Sequence, residues 1–125
     1  MRTTLMVWGL SAAMTVASAA AGPRANIEDQ PLRAIVSPHV GWAPAVVRIQ
    51  AIVRPADENR GIVFILDSDN YYRRSVVPID GEADARVHFA EFRSVPAGVL
   101  QVTVALIDRR GGTRVTVQDV VQIME

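Results

Sequence analysis

Two groups of oxygen-bearing side chains carry most of the chemistry that this 125-residue sequence could perform. Asp67-Ser68-Asp69-Asn70 places three candidate metal ligands, Asp67, Asp69 and Asn70, in one turn, and Asp80, Glu82 and Asp84 sit together in a second. A hard cation such as calcium takes about six to eight oxygens, and an EF-hand loop supplies them at fixed spacing. That spacing fails here: Tyr72 stands where the loop needs its glycine, and Pro78 where it needs a bidentate glutamate. Asp, Ser and Asn also cap turns through side-chain-to-backbone hydrogen bonds, and turn capping is the expected role of both groups. No metal or other cofactor is expected.

The catalytic inventory is thin. Cysteine is absent, so there is neither a thiol nucleophile nor a disulfide. Gly-x-Ser-x-Gly, His-Glu-x-x-His and a glycine-rich phosphate loop are also missing. His39 and His88 are the side chains suited to acid–base work near neutrality, and they fall on different elements. His39 follows Pro38 in a loop and reads as a surface residue. His88 alternates with apolar neighbours and reads as a cross-strand packing residue. With no third group to orient either one, the chain is expected not to be an enzyme.

A surface for binding is the better prospect. Ile62-Val63-Phe64-Ile65-Leu66 is apolar at every position, the pattern of a central strand buried on both sides or of one with a face kept for a partner. Alternation aims Ile62, Phe64 and Leu66 at the core and turns Val63 and Ile65 outward. The following Tyr71-Tyr72-Arg73-Arg74 supplies the residue types enriched in interface hot spots. Val63, Ile65, Tyr71, Tyr72 and Arg73 are therefore the candidate partner-binding residues.

Composition narrows the partner. All 13 basic residues are arginine, set against 13 acidic ones. Met1 to Thr4 carries one positive charge, Leu5 to Val16 is an apolar run softened by small residues, and Ala17-Ser18-Ala19 has the small-x-small form of a cleavage site. Residues 1–21 are expected to be a signal peptide cut near 19–21; the run is too short for the roughly 20 apolar residues of a span. No cysteine follows it, so a lipid-anchored product is excluded. A cut after Ala19 removes Arg2 alone from the count, leaving 12 arginines against 13 acids, a net charge of −1. Nucleic-acid binding needs clustered excess positive charge and is not expected. Exported, disulfide-free and lacking any Asn-x-Ser/Thr acceptor, the chain suits the bacterial periplasm or exterior.

Those residues must be held by strands. Residues 22–30 form a flexible lead-in, and 31–125 form one domain. Leu32 to Val36, between Pro31 and Pro38, suits an edge strand. His39 to Pro44 reads as a loop with Trp42 over the end of the core. Val47, Ile49, Ala51 and Val53 share one face of the next strand. After the polar turn 55–61 come the apolar strand, then Tyr71 to Val77, then Ala85 to Phe92, where a bulge near Ala90-Glu91 would turn Phe89 and Phe92 inward together. Pro96-Ala97-Gly98 leads into a strand whose Leu100, Val102, Val104 and Leu106 alternate with Gln101, Thr103 and Ala105. Gly111-Gly112 would supply positive φ for a hairpin into Thr113 to Ile123, with Val115 and Val117 inward and a bulge at Asp119. About seven strands, with turns every 8–12 residues, make an all-β, antiparallel sandwich.

With the strands placed, Asn59-Arg60-Gly61, Asp67 to Ser75, Asp80-Gly81 and Val95-Pro96-Ala97-Gly98-Val99-Leu100-Gln101-Val102 resemble exported bacterial immunoglobulin-like (fibronectin-III-like) domains. The resemblance covers about half of the mature chain. It implies that Leu66 fills the place where many such domains have a core tryptophan, and that Leu100 stands where they often have tyrosine. It implies a single immunoglobulin-like β-sandwich and a habit of serving as a binding or spacer module, but no activity. The expected function is an exported, non-enzymatic module for protein–protein interaction or self-association. The alternative is an ion- or small-ligand-binding sandwich using the turns Asp67-Asn70 and Asp80-Asp84. The expected partner is a protein or a second copy, with no nucleic acid and no stable membrane insertion.

Overall fold

Alternating apolar side chains with frequent turns leave this chain one way to bury its surface, face to face between two sheets. The computed structural model describes residues 30–125; the expected signal peptide and most of the lead-in lie outside them. Eight strands run in order: β1 Leu32–Ser37, β2 Val40–Trp42, β3 Ala45–Val53, β4 Asn59–Ser68, β5 Tyr71–Pro78, β6 Val87–Val95, β7 Gly98–Asp108 and β8 Thr113–Met124. One sheet has the order β1-β3-β6 and the other β2-β8-β7-β4-β5. The first stretch of chain changes sheets between β1 and β2, so β2 adds the eighth strand. It lies parallel to the end of β8, and the remaining pairings are antiparallel.

The stripe Leu100, Val102, Val104 and Leu106 is wholly inside. It meets Ile62, Phe64 and Leu66 from β4 in the same sheet, and Val47, Ile49 and Ala51 from β3 across the sandwich, in one continuous core. β7 lies between β8 and β4, and β4 between β7 and β5, so both are central strands. β1 is an edge strand, as its flanking prolines require.

Local expectations fail at several points, each for a physical reason. Trp42 does not cover the core. It stands 66 % exposed on the outer face of the larger sheet, because β2 pairs there with Gln122 to Met124. Phe89 and Phe92 do not share a side: Phe92 is buried, while Phe89 is 47 % exposed and stacks under Arg48, 4.1 Å from ring centroid to guanidinium carbon. Register runs without a break from Ile52↔Val87 to Val47↔Phe92, so Ala90-Glu91 has no bulge. The extra residue comes later, at Ser94 (φ 55°), and it turns Val95 back into the core. Nor is there a bulge at Asp119, since β7 and β8 stay in register from Gly98↔Ile123 to Leu106↔Val115. The shift comes at the hairpin end, where Arg114 is the extra residue. In that hairpin Gly111 alone has positive φ, 80°. Finally, Asn59 is no turn residue; it opens β4 and is completely buried.

Candidate interaction surface

Strand pairing fixes what lies on the outer face of the five-stranded sheet. One row across it reads Thr116, Ala105, Val63, Val76; the next reads Gln118, Thr103, Ile65, Arg74; the third reads Val120, Gln101, Asp67, Tyr72. Thr103 and Ala105 flank Ile65 and Val63 as the immunoglobulin-like order requires. The flanking side chains close over Val63, however, leaving it 6 % exposed. Ile65 is half-buried, whereas Tyr72 and Val76 are exposed.

The structure divides the sequence-derived patch. Tyr72 belongs to the outer face with Val63 and Ile65, but Tyr71 and Arg73 have the opposite parity, opposite Ser68 and Leu66. Tyr71 packs against the core, and with Arg73 it lines a groove of about 430 Å3 shared with Glu91, Phe92, Arg93 and Ser94 of β6. Consecutive residues on a strand point to opposite faces, so Tyr71 and Tyr72 cannot serve one flat surface. The sequence reading also missed residues. Val40, Trp42, Val99 and Val120 are exposed apolar side chains on the same outer face, at its β2 corner. Val99 and Val120 are detectable as the off-parity positions of their strands. Val40 and Trp42 are not, because a stretch of three residues shows no period.

The acidic turns lie apart. Asp67 and Asp69 are at the β4–β5 turn, and Asp80 to Asp84 lie at the opposite end of the sandwich, beside the β3–β4 loop. Ser68 Oγ donates to Asn70 Oδ1 at 3.3 Å. Both Asp84 carboxylate oxygens accept backbone N–H groups, from Asp80 at 2.9 Å and Ala85 at 2.8 Å, and these bonds hold its pKa below the usual carboxylate value. Among the described residues no three acidic or histidine side chains come together as a metal site. His88 Nε2 donates to the Ala85 carbonyl at 2.7 Å from a strand position opposite Ala51.

Two polar links do not follow from local sequence. Asn59 donates from Nδ2 to the Arg54 carbonyl (2.9 Å) and accepts at Oδ1 from Arg114, whose other nitrogen pairs with Glu58 at 3.2 Å. His39 Nε2 donates to Asp119 Oδ2 at 2.9 Å, and the His39 carbonyl accepts the Gln122 N–H at 2.8 Å. Together these bonds fasten the start of β2 to β8. The His39 hydrogen bond is the main cause of a lowered Asp119 pKa. A depressed folded-state pKa stabilises above the unfolded value of about 3.9 and ceases to do so as pH falls through the folded value. Asp119→Asn should therefore cost a fraction of a kcal/mol at pH 7, as is usual for a solvent-exposed pair, and the difference from wild type should shrink as pH falls below the unfolded value. Melting curves taken from pH 7 down into the acid range read this directly; a difference that stays constant across that range would show that the pair is not its source.

The order β1-β3-β6 over β2-β8-β7-β4-β5 defines an immunoglobulin-like, fibronectin-III-like sandwich. No family model matches the chain, and no curated protein matches it. Solved structures do. Fibronectin(III)-like modules of CbhA from Clostridium thermocellum align with a TM-score of 0.52 at 14% identity, over 74% of this chain and 96% of theirs. A superoxide reductase (neelaredoxin) from Ignicoccus hospitalis aligns with a TM-score of 0.55 at 11% identity, over 75% of this chain and 80% of its own. A family 76 glycoside hydrolase from a bovine Bacteroides thetaiotaomicron strain aligns over 74% of this chain and 20% of its own, with a TM-score of 0.51 at 13% identity. Proteins with unrelated functions share this sandwich with the chain, and the likeness extends to the fold alone.

Proposed function

We propose that this chain is a small exported, non-enzymatic immunoglobulin-like module that mediates protein–protein interaction or self-association through the outer face of its five-stranded sheet. The observation that carries the reading is the distribution of exposed apolar side chains. Among the described residues, six of the ten exposed large apolar side chains, Val40, Trp42, Tyr72, Val76, Val99 and Val120, stand on this one face, with Ile65 half-buried among them, and the other four are on the smaller sheet. Concentrated exposed apolar surface of this sort marks interaction sites more often than solitary residues do. Export rests on the signal-like residues 1–21. Among the described residues no helix is long and apolar enough to cross a membrane.

Ile65→Arg tests the proposal. Ile65 lies between Thr103 and Arg74 on a half-open face, so an arginine there can extend into water. The variant should keep the wild-type melting curve while losing self-association in light scattering or capture of a partner from the native envelope fraction. If it unfolds instead, Ile65 is a core residue and the face is not a docking surface.

A further inference from the structure

We infer that the open edge of β8 is a docking site for a second copy of this chain, which pairs with it antiparallel about a two-fold axis near Val117. This rests on the self-association reading above and gives it a contact.

Each sheet of the sandwich has two edges, and the three formed by β1, β5 and β6 resist pairing with their own copies; the fourth is the three-residue β2 and the length of β8 that β2 leaves unpaired. β1 is only six residues long and is closed at both ends by Pro31 and Pro38. β5 carries Arg73-Arg74 and ends at Pro78, so self-pairing would crowd arginines together. β6 is kinked by the bulge at Ser94 and carries Glu91 and Arg93. β8 is the longest strand at 12 residues, contains no proline, and from Val115 to Gln118 carries no charge. Its neighbour β2 covers only Gln122 to Met124.

The backbone direction along β8 follows from one bond. The Gln122 N–H donates to the His39 carbonyl, on the side away from β7. Groups on a strand alternate from one edge to the other, so the N–H and C=O groups of Thr116, Gln118 and Val120 point to that same open edge. Upstream the edge ends at the hairpin after Asp108; downstream it ends where His39 and β2 begin. An incoming antiparallel strand fits between these limits when Thr116 faces Gln118 of the second copy and Gln118 faces its Thr116. Each such pair exchanges two backbone bonds, about four in all. Thr116 and Gln118 are neutral, and their side chains lie on the outer face in rows with Ala105 and Thr103. Pairing would thus join the two five-stranded sheets into one surface. Asp119, the one acidic group nearby, points to the other face and is bonded to His39. No like charges therefore meet directly across the axis.

Three variants expressed from the full-length sequence test this by light scattering, with a melting curve to confirm folding. Gln118→Pro removes an N–H that faces the open edge and leaves the β7 ladder intact. T116K/Q118K sets lysine against lysine in the paired register, whereas T116K/Q118E sets lysine against glutamate. The wild type and T116K/Q118E should run as dimers, and Gln118→Pro and T116K/Q118K as folded monomers. Dimers that persist in both of the latter, folded variants overturn the edge contact. If Ile65→Arg nevertheless dissociates such dimers, the outer-face reading stands without the edge. A monomeric wild type that captures no partner overturns both.

Discussion

Phe64→Ala should lower stability by about 3–5 kcal/mol, the largest loss expected from any core truncation in this chain. Phe64 is fully buried near the middle of β4, a strand with neighbours on both sides, and it is the largest of the wholly buried side chains. Its cross-strand partners are Ser75 and Val104. Neither can swing in to fill the space, so removing the ring leaves a cavity as well as losing the transfer energy. Folded domains retain about 5–15 kcal/mol in total, and one of about a hundred residues moves its melting midpoint by about 4–8 °C per kcal/mol. The variant's midpoint should therefore fall by more than about 12 °C on that scale. Phe89→Ala provides the comparison. Phe89 is half-exposed and gives up chiefly its contact with Arg48, so its cost should be about 1 kcal/mol. Equal losses in the two variants, measured by urea denaturation, would refute the placement of Phe64 in the core and Phe89 on the outer surface.

Asn59→Ala should cost about 2–3 kcal/mol, a large effect for a side chain of this size. Asn59 is the single buried polar residue among those described, and it connects two elements distant in sequence, the β3–β4 loop through the Arg54 carbonyl and the β8 bulge through Arg114. Truncation takes the amide away from both partners at once, and the guanidinium it leaves is only 26 % exposed. Groups deprived of a partner without full access to water cost more than the net worth of the bonds they made. Asn59→Asp separates the two roles: it keeps an acceptor for Arg114 but sets a carboxylate oxygen against the Arg54 carbonyl. A double-mutant cycle of Asn59→Ala with Arg114→Ala should give a coupling above about 0.5 kcal/mol, the range found for directly bonded pairs. Additive losses would mean that the contact contributes nothing of its own.

The sandwich architecture was legible in the residues alone, because period-two alternation records on each residue which side of a strand it occupies. Leu100, Val102, Val104 and Leu106 are inside for that reason, as are Val47, Ile49 and Ala51. The same rule turned Val63 and Ile65 toward the outer face, where Ile65 is half-buried and Val63 is covered by its neighbours. It could not assign Val40 to Trp42, three residues that become a strand only because the end of β8 is there to pair with them. Bulges were misplaced because an off-parity residue such as Phe89 can be read as a register shift or simply as exposed, and only the facing strand decides. The extra residues lie at Ser94 and Arg114, where turn geometry and long-range partners require them. Burial of Val63 depended on its neighbours in the sheet, and burial of Asn59 on an arginine 55 positions away. Placing Tyr71 and Arg73 in a groove with β6 likewise required the second sheet. Local chemistry chose strands and faces; tertiary structure chose which exposed residues stand together, since a surface is assembled from chain segments that do not meet until the sheets close.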